Sequence, residues 1–178
     1  MKGQLTIQYL ISFIFFVGLI TYIYFAFSSN IPKFIENVEK EDTLSKAFQV
    51  SEILVNDPGY PANWEESFIP PDQIKRLGLS DEHSNKTNLL LISKIKRFDS
   101  ICDNDYTDIQ KKLALNRSFS IFLFNITGNG NRECELDCQP PSPPKNPINV
   151  TIRRIVAFND TRTNPSGEIK LAELIIQM

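Results

Sequence analysis

The sequence predicts an α+β chain: a long N-terminal membrane-spanning helix, further short helices, and a small antiparallel sheet of three or more strands in the C-terminal half. Three observations predict it. Leu5 to Phe27 runs for 23 residues without a charge and is rich in Ile, Leu and Phe. In the runs Asp42 to Asn56, Asn85 to Phe98 and Asp105 to Leu115, apolar residues recur at three- and four-residue steps, the period of a helix with one buried face. Beyond Arg117 the runs turn β-branched and aromatic, separated by Gly, Asn and Pro.

The apolar run comes first. As a helix, 23 residues reach about 34 Å, against a hydrocarbon core of about 30 Å. Its polar interruptions, Thr6, Gln8, Ser12, Gly18 and Thr21, carry no charge, and a hydroxyl can return its hydrogen bond to the helix backbone. A buried core helix rarely avoids charge for so long. An ordinary secretory signal has an apolar middle of about 7–15 residues followed by a small-x-small cleavage site, and neither feature fits here. Membrane lipid is therefore the first expected partner.

Pro32 is expected to kink or interrupt the helix after the interface. A second helix is expected to start at an N-cap on Asp42 or Thr43 and to run to Asn56. Leu44, Ala47, Phe48, Leu54 and Val55 form its stripe, and Asp57, Pro58 and Gly59 stop it. Asn85 to Phe98 reads as an amphipathic helix with Leu91, Ile92, Ile95 and Phe98 inward and Lys86, Lys94 and Lys96 solvated. Asp105 to Leu115 reads as another, with Tyr106, Ile109 and Leu113 on one face and Asp105 favourably placed at its positive end. Ser118 to Phe124 reads as a strand ended by Gly128, Asn129 and Gly130. Asn129 to Pro147, with two cysteines and five prolines, reads as a loop. Asn149 to Phe158 and Glu168 to Ile176 read as two strands joined by a turn containing Asn-Pro-Ser-Gly.

Charge and motifs narrow the function. With 19 basic and 21 acidic residues there is no basic footprint for nucleic acid. The single His, His83, sits in a polar string with Asp81 and Glu82, and no phosphate loop, His-Glu-x-x-His or Cys-x-x-Cys motif is present. The expectation is a protein that is not an enzyme and needs no cofactor. Cys102, Cys134 and Cys138 offer one bridge, either Cys134 to Cys138 or Cys102 to one of them, and leave one thiol. A zinc site completed by His83 would rest on weak spacing, so no metal is expected. Positive charge does not orient the helix, since Lys2 precedes it while Lys33, Lys40 and Lys46 follow; a long domain translocates largely regardless. Five Asn-x-Ser/Thr sequons, at Asn85, Asn116, Asn125, Asn149 and Asn159, exceed the roughly two that composition supplies by chance, and favour a glycosylated exterior.

Lys2-Gly3-Gln4 stands immediately before the apolar run, with Thr6, Gln8 and Leu10 following at two-residue steps. This resembles the class III signal peptide of archaeal type IV pilin-like proteins, where cleavage falls between Gly and Gln and the pattern continues Gln-x-Ser-x-Glu. The string Asp57-Pro-Gly-Tyr-Pro-Ala-Asn-Trp64 is similar to a segment found after the long helix in some of them. The resemblance implies a leader over residues 1–3, a retained transmembrane or filament-core helix over 4–27, and an extracytoplasmic α+β domain over 28–178. It implies a prepilin-type peptidase acting on Lys2, Gly3 and Gln4. Other pilin-like subunits and their assembly machinery would then be partners of a helix surface that includes Gln8, Leu10, Phe13 and Phe16. Thr6 stands for the usual Ser, and Gln8 for the usual Glu, whose charge is thought to register a new subunit in the filament. The departure at Gln8 favours a minor or non-major subunit. The alternative is a monomeric membrane-anchored module at the cell surface whose Tyr60 and Trp64, or cysteine loop, meet an extracellular partner.

Overall fold

In the computed structural model the described residues are 2–82, 88–126, 132–142, 150–160 and 168–178, with side chains described from Ile7 onward. They form an α+β structure. The elements are α1 (Lys2–Asn56), a 3-10 turn (Pro71–Gln73), β1 (Leu89–Leu91), α2 (Ile92–Lys112), β2 (Ser120–Ile126), β3 (Arg132–Cys138), β4 (Thr151–Asp160) and β5 (Glu168–Gln177). By internal packing the chain divides into two compact units, Met1–Glu41 and Asp42–Met178.

Helix α1 passes through Pro32 without a break and through Asp42 and Thr43 without a new cap, so the expected interruption there is corrected. Pro32 removes one amide donor, and helical residues on both sides carry the ladder past it. Just before it, Ser29 Oγ donates to Phe25 O at 2.8 Å and Asn30 Nδ2 to Ala26 O at 2.8 Å, so both polar side chains turn back onto the helix. Within the second unit, the buried face of α1 is Thr43, Ala47, Val50, Ser51, Leu54 and Val55. Leu44 and Phe48, expected inside, are exposed, because the stripe lies one residue away from them.

The sheet has the order β1-β4-β5-β2-β3; β1 runs parallel to β4 and every other pair is antiparallel. Its inner face carries Ile121 and Leu123 of β2, Leu136 and Cys138 of β3, Val156 and Phe158 of β4, and Ala172, Leu174 and Ile176 of β5. These residues join Ile95, Phe98 and Ile109 of α2 and Ala47, Val50 and Leu54 of α1 in one core. The opposite face leaves Ile126, Ile155, Ile169 and Leu171 exposed.

Two expected helices merge into α2. Asp105 keeps non-helical angles inside it (φ −149°, ψ 77°) and its Oδ1 accepts from Asp108 N at 3.0 Å, so it still caps a helical start as the acid at that position suggests. The expected helix from Asn85 is corrected: residues 83–87 lie outside those described, and Leu89–Leu91 pairs with Ala157–Asn159 as β1. A short apolar run suits a strand or a helix equally, and the partner strand decides. The expected loop at 129–147 is also corrected over Arg132–Cys138, which is β3.

Parts of both sheet edges are engaged. Along β3, Asp99 Oδ1 of α2 accepts from Asp137 N at 3.0 Å, Lys96 reaches the buried Glu135 at 3.3 Å, and a Cys102–Cys138 disulfide joins helix to strand. Along β1, Leu91 N donates to Leu79 O and Asp81 N to Leu89 O, at 2.9 and 3.0 Å.

Candidate functional site

Two regions carry the sequence signals: the apolar stretch of α1 and the loop that follows the helix. In α1, Phe13, Ile14, Phe15, Phe16 and Val17 are consecutive and all exposed. Five successive residues at 100° per step point in every direction, so this stretch has no buried face. It belongs to the one helix, among the described residues, that is long and apolar enough to cross a membrane, and none of its most apolar window is buried. Thr21 Oγ1 donates to Val17 O at 2.7 Å, so its hydroxyl needs no partner in hydrocarbon. Gln8, Leu10, Phe13 and Phe16 lie exposed on this stretch. Lys2, Gly3 and Gln4 fall within the bounds of α1, with their side chains outside those described.

The Asp57–Trp64 string folds into a lock. Trp64 is fully buried, and its Nε1 donates to Gly78 O at 2.9 Å and Pro58 O at 3.2 Å. The expectation of Trp64 as a surface platform is therefore corrected: the ring fills the core, and its polar edge is spent on two backbone carbonyls. Tyr60 remains exposed, with Lys75 Nζ 5.6 Å from its ring centre. Asp57 Oδ1 accepts from Gly59 N at 2.7 Å, and its other oxygen meets Arg76 Nε at 2.8 Å. Gly59 has φ +86°, and a Cβ there would stand 2.6 Å from the indole.

Lys94, expected on a solvated face, is buried at 1% exposure. Its Nζ donates to Pro58 O at 2.8 Å and Ser80 O at 3.0 Å, so one ammonium binds both arms of the loop to α2. Burial holds its pKa below the ordinary lysine value, against the charges of Glu65, Glu82, Asp81 and Asp57, which push it up. The signal was present in the spacing: Lys94 stands four residues before Phe98 and seven before Ile101, on the apolar stripe itself. Arg154 was also missed. It faces inward from β4, where it donates to Glu52 Oε1 at 2.7 Å and Ser51 Oγ at 3.2 Å on α1.

The bridge is Cys102–Cys138, one of the pairings left open, and Cys134 is a free, exposed thiol. Partial burial, then the charge of Asp137, push that thiol's pKa up. Among the described residues no group of three or more His, Cys, Asp or Glu is placed to hold a metal ion. His83, Asn85 and Asn149 lie outside the described residues. Of the remaining sequon residues, Asn116 is exposed and Asn159 half-buried, while Asn125 is corrected as a candidate: it is 2% exposed in the middle of the sheet. No protein-family model, curated protein or solved structure matches the chain.

Proposed function

We propose that this chain is a membrane-anchored surface protein of the archaeal type IV pilin-like kind, a minor or non-major structural subunit with its domain outside the cell and no catalytic role. The observation that carries the reading is α1 itself. One helix holds both an apolar stretch exposed on all sides and, from Thr43 to Val55, residues of the domain core. A cleavable signal has no need of a continuation built into the fold, whereas a retained anchor does. The Cys102–Cys138 disulfide suits an oxidising exterior. Lipid, a prepilin-type peptidase and neighbouring subunits are the partners in this reading, and nucleic acid is not.

Intact mass and N-terminal sequencing of the protein extracted from its native membrane test it. A chain beginning at Gln4 supports processing between Gly3 and Gln4; a chain beginning at Met1 removes the pilin-like reading. The anchored binding module then takes its place, and the sheet face bearing Ile126, Ile155, Ile169 and Leu171 favours it.

A further inference from the structure

We infer that the turn at Asn116 is an acceptor for an N-linked saccharide in the folded domain, and that Asn125 is refused one; the inference rests on the domain facing outward. Asn116-Arg117-Ser118 lies between α2 and β2, where Ala114, at φ +53°, turns the chain out of the helix. Both flanks of the sequon are fixed. On one side Leu115 N donates to Gln110 O at 2.9 Å. On the other, Gln110 Nε2 donates to Arg117 O at 2.9 Å, Phe119 N donates to the Tyr106 hydroxyl at 2.7 Å, and that hydroxyl donates to Phe119 O at 2.8 Å. Asn116 itself is exposed on this supported turn, so a large group can be added there without moving the core.

Asn125 offers the opposite. It points to the inner face of β2, with Ala172 of β5 on one side and Glu133 of β3 on the other, and is 2% exposed. A saccharide at that position would require the sheet to open. Asn159 is half-buried in β4 between Leu91 and Ile169, with its Oδ1 shut away from solvent, and is the poorer acceptor for the same reason.

In the transfer, the Asn116 amide nitrogen forms a bond to the anomeric carbon of a lipid-phosphate-linked saccharide. The bond from that carbon to the phosphate oxygen breaks, the lipid phosphate departs, and the amide gives up one proton. The co-reactant is the lipid-linked saccharide, delivered by a membrane transferase at the outer face.

Glycopeptide mass spectrometry of the protein from its native membrane, beside a glycosylated surface protein of the same cells, tests the assignment. The expected result is a saccharide mass on the Asn116 peptide, lost in Asn116→Gln and separately in Ser118→Ala, with the Asn125 peptide bare. A saccharide on Asn125 overturns the inference. So does a bare Asn116 in a chain whose domain is cut by protease added to intact cells, a result that leaves the outward orientation standing. A domain shielded from that protease overturns the orientation and the acceptor assignment together.

Discussion

Lys94→Met separates the two ways a buried lysine can act. Methionine keeps most of the side chain's volume, so the substitution removes the ammonium and its bonds to Pro58 O (2.8 Å) and Ser80 O (3.0 Å) with little cavity. Each charge-assisted bond contributes about 1.5–3 kcal/mol. Against them stands the cost of desolvating the ammonium, several kcal/mol, which the methionine no longer bears. Pro58 O keeps the Trp64 Nε1 donor, whereas Ser80 O loses the Lys94 proton, at a cost of about 1–3 kcal/mol for a buried carbonyl left short. The bonds and the desolvation offset, so the net destabilisation at neutral pH is set by Ser80 O, about 1–3 kcal/mol. Urea unfolding of the full chain in detergent reads it through the fluorescence of Trp64, the chain's one tryptophan and fully buried. The pH dependence gives a second reading. Because the folded pKa is lowered, between that value and the ordinary lysine value of about 10.4 the unfolded chain holds a proton the native one has released. Wild-type stability therefore gains with rising pH in that window relative to Lys94→Met, and the gap widens. A variant as stable as wild type at neutral pH, with a gap that does not change with pH, would refute the reasoning.

Gly78→Ala drives a Cβ into the Asp57 carbonyl and to 2.8 Å from Gly59 N; separating those backbones also strains the Trp64–Gly78 bond, so a loss of about 2–4 kcal/mol is expected in the same urea assay. Reduction of Cys102–Cys138, residues 36 apart, releases chain entropy worth about 4 kcal/mol, and the urea midpoint should fall accordingly with added dithiothreitol. Cys134, its pKa raised, should react with iodoacetamide more slowly in the native protein than in urea at the same mildly alkaline pH; equal rates would mean that burial and the Asp137 charge do not act on the thiol as described. Tyr106 also has a raised pKa, from burial first, partly offset by its bond to Phe119 O. Its contribution should be present below about pH 10 and decline as pH rises through the folded value, a dependence absent from Tyr106→Phe.

What could be read from the sequence was what carries a period. Apart from the apolar stretch of α1, legible from its length and lack of charge, the Ile92, Ile95, Phe98 and Ile109 face of α2 and strands β2, β4 and β5 each repeat at the spacing of their own element, and the structure places them so. β3 escaped because its apolar positions, Leu136 and Cys138, stand among Arg132, Glu133, Glu135 and Asp137. Between Leu123 and Phe124 of its partner strand the register shifts, turning Glu135 inward and breaking the alternation. β1 escaped because three leucines have no period at all. The lock was half legible: Pro58, Gly59 and Pro61 announced a stiff loop, but no local signal says that Trp64 and Lys94 close it across 30 residues of chain. Such contacts are tertiary, and only the fold brings them together.

The apolar stretch of α1 bears on how a surface protein of the proposed kind associates. In lipid that stretch would gain no hydrophobic advantage from a neighbour, because hydrocarbon would already surround it. Association there must come from close packing or from polar groups. Thr21 spends its hydroxyl within its own helix, whereas Gln8 brings an amide able to bond a neighbour but no charge to fix a register. Under the proposed reading, a helix furnished in this way would join an assembly that other subunits register, which is what a minor subunit would do.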